Sequence, residues 1–188
     1  MVGLKPLGIA GIVIPLDLKF ARAYDPDMSE LNEDDFDVTC GEEIVSDSRC
    51  FVCGLANRHG LKVRFFRQGE NAALATCDPP ETFMGYHGFL HGGVSAALLD
   101  EVMIKAVLAS GRLVVTGRMS IQYRQPVPLG LKLQLRGSIS SHKGRLFHTN
   151  GVLFTDPSVP LVTATGTYME VTGARRESLI EGLRRQQG

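Results

Sequence analysis

Between Gly93 and Ser110 the chain carries no proline, is rich in good helix formers, and reaches Gly111 where a helix would stop. Its apolar residues, among them Val94, Leu98, Leu99, Val102, Met103, Ile104, Val107 and Leu108, lie on every side of the helix they would form. A helix apolar all round has to be buried, so the rest of the chain must wrap it. Asp100 and Glu101 stand out inside this segment, because an ionised carboxylate in oily surroundings is costly unless something pairs with it.

The flanking segments read as strands. Leu61 to Phe66 and Ala72 to Cys77 are joined by Gln68-Gly69-Glu70-Asn71, a turn composition. After the helix, Met119, Ile121 and Tyr123 alternate with polar neighbours, as do Leu131, Leu133 and Leu135. Arg145 to Phe154 and Leu161 to Val171 complete four strands. Their breaks are Pro126 to Gly130, Ser141 to Gly144 and Asp156 to Pro160. Short links favour an antiparallel meander, and the whole reads as α+β, a sheet wrapped around a long central helix. A closing amphipathic helix would use Leu179, Ile180 and Leu183.

At 188 residues the chain is long enough for one domain and short for two. Residues 1–45 read as an extension and residues 46–188 as the domain. Net charge is zero, which argues against nucleic acid or an anionic membrane as partner. The balance is uneven, however. Seven carboxylates crowd between Asp25 and Asp37, and from residue 38 onward 17 basic residues face 12 acidic ones, a mild surplus that suits a polyanionic small molecule. The apolar stretch Leu7 to Leu16 is too short to span a bilayer and is flanked poorly for a signal peptide, so a cytoplasmic location is expected. Four cysteines are too few for a disulfide scaffold. Cys50-x-x-Cys53 is half a zinc site that Cys40, His59 or Cys77 could complete. No second pair has ligand spacing, so it reads as a structural turn, and neither metal nor cofactor is expected.

The most specific motif is Tyr86-His87-Gly88-Phe89-Leu90-His91-Gly92-Gly93, running into the helix that holds Asp100. With Val115 to Tyr123, Pro126 to Gly130, Cys50-Phe51-Val52-Cys53-Gly54 and Gly60-Leu61, it resembles the hotdog-fold acyl-CoA thioesterases of the phenylacetic-acid-degradation type. The resemblance covers roughly residues 50–172. It implies a hotdog fold, an acyl-CoA substrate, a catalytic Asp100, and Gly92 as the amide that holds the thioester carbonyl. Thr116 falls where the family carries a hydroxyl residue that helps hold the water. His91, Gly93 and His87 would lie against substrate. Some relatives carry asparagine six positions before the histidine; here Gly85 stands there, so the resemblance does not carry over that second carbonyl contact.

Physical chemistry supports the same picture. Glycines at a helix start leave N–H groups unobstructed in a region of partial positive charge, suited to an oxyanion. A buried carboxylate can deprotonate water or attack the carbonyl itself, the first being preferred. Glu101 and His91 are alternative bases, less suited than Asp100. Gly92 and Asp100 lie eight residues apart, about 12 Å along one helix. Both must approach one reacting carbon within about 3 Å, so the active site is expected between two antiparallel helices of a homodimer, or of a dimer of dimers (a homotetramer). Arg124, Lys143 and Arg145 are candidate contacts for CoA phosphates. Competing readings are a hotdog enoyl-CoA hydratase or dehydratase and a non-catalytic acyl-CoA-binding module.

Overall fold

The computed structural model describes residues 41–185 and side chains as far as residue 181; the acidic run and Cys40 lie outside the described residues. Six strands form one antiparallel sheet: β1 (Phe65–Gln68), β2 (Ala72–Cys77), β3 (Val114–Tyr123), β4 (Leu133–Lys143), β5 (Leu146–Asp156) and β6 (Val159–Glu170). A 3-10 turn at Glu81–Phe83 leads to α1 (Gly92–Ala109), and α2 (Gly173–Arg185) closes the described chain. Among the described residues no helix is long and apolar enough to cross a membrane.

The strand order is β1-β2-β4-β5-β6-β3. The four-strand meander expected from short links is therefore only three strands long, β4 to β6. β3 pairs with β6 at the far edge, and the chain must cross back to set β4 beside β2. Pro126 and Pro128 sit in that crossing, where no ladder N–H is needed. The boundaries shift as well. Leu61 to Arg64 stay outside the ladder, with Lys62 at φ 55. The β4–β5 hairpin runs on through Ser141-His142-Lys143 and turns at Gly144, whose φ of 57 suits glycine. Val159 and Pro160, read as part of a break, belong to β6.

The core lies between α1 and one face of the sheet. Leu98, Leu99, Val102, Met103, Ala106 and Val107 of α1 are fully buried, as are Leu133, Leu135, Leu153, Val162 and Tyr168 opposite them. Each large apolar side chain removed from water contributes about 1.5–3 kcal/mol. The layers meet most closely where Gly137 of β4 stands opposite Gly151 of β5. A Cβ on Gly137 would lie 2.3 Å from the Val102 carbonyl oxygen, and one on Gly151 would lie 3.0 Å from Met103. Glycine is needed there because the helix backbone rests on the sheet backbone.

Helix α1 is buried on its sheet side and, at Lys105, beneath the segment around Val45 and Ser46. Ala96, Ala97, Asp100, Glu101, Ile104 and Leu108 stay half-exposed, so the all-round apolar character is satisfied on one side within a single chain. Its C-terminal end is tied by Ser110 and Gly111 amides to Val107 and Leu108 carbonyls, Gly111 at φ 81. Before β1, Ile44 is in the core, its amide bonded to Phe65 at 2.8 Å, and Glu43 pairs with Phe66 and with Arg64. Packing thus begins two residues ahead of the boundary drawn at residue 46. The expected closing helix is present as α2, with Ile180 half-buried and Leu179 43% exposed.

Candidate active site

Asp100 projects from the middle of α1 toward the end of the sheet where β3 and β6 pair. Thr116 Oγ1 donates to its Oδ1 at 3.0 Å and Oδ2 at 3.2 Å, and Tyr168 Oη donates to Oδ1 at 2.8 Å. Thr116 and Tyr168 are direct register partners, so they share a sheet face. That sharing depends on a bulge. The register slips between Thr116 and Arg118 around Gly117, and the strand changes parity there. Before it Val114 and Thr116 face α1; after it Met119 and Ile121 pack on the core. Without the extra residue, the parity that buries Met119 would turn Thr116 away from Asp100.

The Tyr168 phenol is held well above its ordinary range, first by burial and then by the nearby Asp100 charge. It therefore stays protonated and serves as a fixed donor. Asp100 Oδ1 takes the two shorter bonds and Oδ2 only the longer one from Thr116, so Oδ2 has the more acceptor capacity left for water. Asp100 itself is half-buried, with its outer side toward solvent. Tyr168 is the contact of Asp100 that sequence reading missed. It lies in the inward row of β6 with Val162 and Ala164, and a tyrosine there needs a polar partner for its hydroxyl.

Eight residues earlier, the start of α1 is laid open. His91 is the N-cap, its Nδ1 accepting from the Gly93 amide at 3.0 Å, so that ring nitrogen and that N–H satisfy each other. Among the described residues nothing accepts from the Gly92 N–H, while Tyr123 Oη donates to the Gly92 carbonyl at 2.9 Å. His87 is exposed in the tight loop from Gly85 to Phe89, which is pinned to the segment after β3 by Leu90–Val127 and Leu129–Gly88 bonds. Gly85 lies against His91; a Cβ there would be 3.0 Å from the His91 Cα.

The candidate residues therefore form two groups. His87, His91, Gly92, Gly93 and Arg124 gather at the N-terminal end of α1; Asp100, Thr116, Lys143 and Arg145 gather at the other end of the sheet. Thr116 and Tyr123 stand about 20 Å apart along β3. Arg124 turns its Nε to Thr163 at 3.3 Å, and Arg145 donates to the Glu170 carbonyl at 2.9 Å. Lys143 is exposed, one row from the His142–Phe147–Tyr168–Thr116 line.

Glu101 belongs to a different cluster. It pairs with the buried Lys105 at 3.5 Å and accepts from Cys50 at 3.7 Å. Among the described residues, Cys50, Cys53 and Glu101 are the group whose donor atoms lie together as metal ligands would; His59 and Cys77 are not part of it. A polar depression of about 460 Å³, lined by Arg118, Ser120, His148, Thr165 and others, lies on the sheet face turned away from Asp100.

Comparison with known proteins adds an independent line. Residues 87–160 match the family model described as the Thioesterase superfamily. The chain is 26% identical to the acyl-coenzyme A thioesterase THEM4 of Bos taurus over 132 residues, 69% of this chain and 54% of that protein. It spans about half the length of the curated relatives it matches. Among solved structures, a thioesterase superfamily protein shares 27% identity at a TM-score of 0.62, covering 68% of this chain and 66% of that one. The E. coli PaaI protein of the phenylacetic acid degradation operon shares the fold at 17% identity and a TM-score of 0.56, covering 60% of this chain and 82% of that one.

Proposed function

We propose, from the premise that this hotdog-folded chain carries a thioesterase-superfamily domain over residues 87–160, that it hydrolyses acyl-CoA thioesters at a site completed by a second copy of itself. One observation carries the reading: a carboxylate braced by two hydroxyl donors and an unengaged helix-start amide face outward from the same helix, too far apart to serve one carbon. Two features support a second copy. The half-exposed side of α1 is apolar around Asp100, and β3 is a ten-residue edge strand paired on one side only. A twofold partner laid along β3 would bring Gly92 of one copy toward Asp100 of the other. Assembly beyond two copies is a further step of the same proposal.

In this reading the thioester carbonyl lies against the Gly92 N–H at the positive end of α1. Asp100 takes a proton from a water, which attacks the carbonyl carbon. The negative charge collects on the carbonyl oxygen, and collapse of the tetrahedral intermediate breaks the C–S bond. CoA thiol leaves and the free acid remains. Lys143 and Arg145 stand nearest the Asp100 end of the sheet and supply charge for the CoA phosphates. A cytoplasmic setting is part of the proposal and fits the free thiols of Cys50, Cys53 and Cys77.

The test is release of CoA thiol across a panel of acyl-CoA esters by the parent chain and by Asp100→Asn. The parent should cleave at least one ester, and the variant should be slower by about 100- to 10,000-fold, the usual worth of a general base. A tight dimer of Asp100→Asn with undiminished turnover would overturn the mechanism. A parent inert on every ester would overturn the activity.

A further inference from the structure

The turn carrying Cys50 and Cys53 takes no part in the reaction centre, yet it is built with unusual care. The Val52 amide donates to Cys50 Sγ at 3.3 Å, and the Gly54 amide to the Cys50 carbonyl at 3.1 Å. A Cβ on Gly54 would fall 2.5 Å from both the nitrogen and the oxygen of Cys50, so only glycine closes this turn. Cys53 is buried and Cys50 half-buried. Glu101 reaches the pair from α1, and the two sulfurs and a carboxylate oxygen all lie within 4.8 Å of one another.

We propose that Cys50, Cys53 and Glu101 bind one divalent, thiolate-preferring transition-metal ion of the zinc class, which clamps the segment from residue 41 to residue 63 onto α1. Two cysteines separated by two residues are the usual half of such a site, with an amide hydrogen bond to the first sulfur favouring its thiolate. A tetrahedral ion with ordinary bond lengths sets its ligand atoms roughly 3.5–3.8 Å apart; Cys50 Sγ and Glu101 Oε2 already stand 3.7 Å apart, and no pair has to close by more than about an ångström. A solvent molecule takes the fourth position.

Charge supports the assignment. Two thiolates and a carboxylate carry three negative charges. The ion supplies two positive charges, and Lys105, 2% exposed and 3.5 Å from Glu101, supplies the third. The occupied cluster is neutral, as a buried one should be. Lys105 is held in place by Val45 O at 2.5 Å and Ser46 Oγ at 3.2 Å, so it also joins the segment to the helix. Binding replaces the S–H proton that Cys50 now shares with Glu101, and the two thiols release two protons to solvent for each ion taken up.

The full chain, reduced and freed of metal by a chelator, is titrated with Co2+ as the probe. One ion per chain is expected, with a thiolate-to-cobalt charge-transfer band, four-coordinate visible absorption, uptake of two equivalents of base, and displacement by Zn2+. Cys50→Ala and Cys50→Ser should both lose the band while keeping the parent's circular dichroism. Glu101→Gln should bind more weakly with altered visible absorption, and Cys77→Ala should behave as the parent. The site is refuted if the folded, reduced parent gives no such band, or if the band survives in either Cys50 variant. A chain that only forms a Cys50–Cys53 disulfide in air and takes no cobalt when reduced refutes it equally. None of these readouts depends on thioester hydrolysis.

Discussion

At the residue scale, Asp100 accepts hydrogen bonds from two hydroxyls, and in the proposed reaction these orient the carboxylate that takes the proton. Tyr168 and Thr116 both bond Oδ1, and Oδ2, which has only the longer contact from Thr116, is the oxygen the proposed reaction turns to water. Removing the phenol hydroxyl should leave the fold intact, because the ring still fills its buried place. A hydrogen bond to a charged group is worth about 1.5–3 kcal/mol. Tyr168→Phe should therefore lower kcat by about 10- to 100-fold with little change in KM, measured by steady-state thiol release. Asp100 stood out in the sequence as a carboxylate in an apolar helix, and Thr116 was named only through the family resemblance; the structure brings the two together. Tyr168 was not legible in the sequence. Its link to Asp100 spans 68 residues and rests on a register that only the folded sheet defines. Glu101, which looked like a rival base, turns out to be occupied by Lys105 and Cys50.

At the scale of elements, periodicity gave α1 within a residue at each end and located six strands, since alternation and turn residues are local signals. Their order was beyond reach. Nothing in Arg124 to Lys132 indicates that β3 goes to the far edge, because pairing is decided by which faces cover α1. The close approach at Gly137 was equally hidden, as a glycine in a strand has several meanings. It yields a direct expectation for Gly137→Ala. Overpacking costs about 1–3 kcal/mol, while alanine's stiffer unfolded chain offsets about 0.4–1 kcal/mol. The added methyl would meet the Val102 backbone carbonyl, which cannot swing aside. Urea unfolding should show a net loss, with a lower midpoint and unchanged slope.

For the whole molecule, the separation of Gly92 from Asp100 makes a shared site testable by mixing. Gly92→Pro removes the amide hydrogen at a first helical position that accepts proline, because His91 is already extended at φ −61, ψ 133. Gly92→Pro and Asp100→Asn should each be nearly inactive alone. Denatured together and refolded, they should recover about a quarter of parental thiol release, since half of random dimers are hybrids with one intact site. No recovery in well-formed hybrids would place both groups' work within single chains.

The contact between Gly137 and Val102 also sets a boundary for any guest. With helix and strand touching along their main chains, the floor beneath α1 is sealed there, and an acyl tail cannot be lodged between them. In the proposed reaction, an acyl tail at Asp100 therefore gains no room at that crossing, and its length is settled elsewhere along α1.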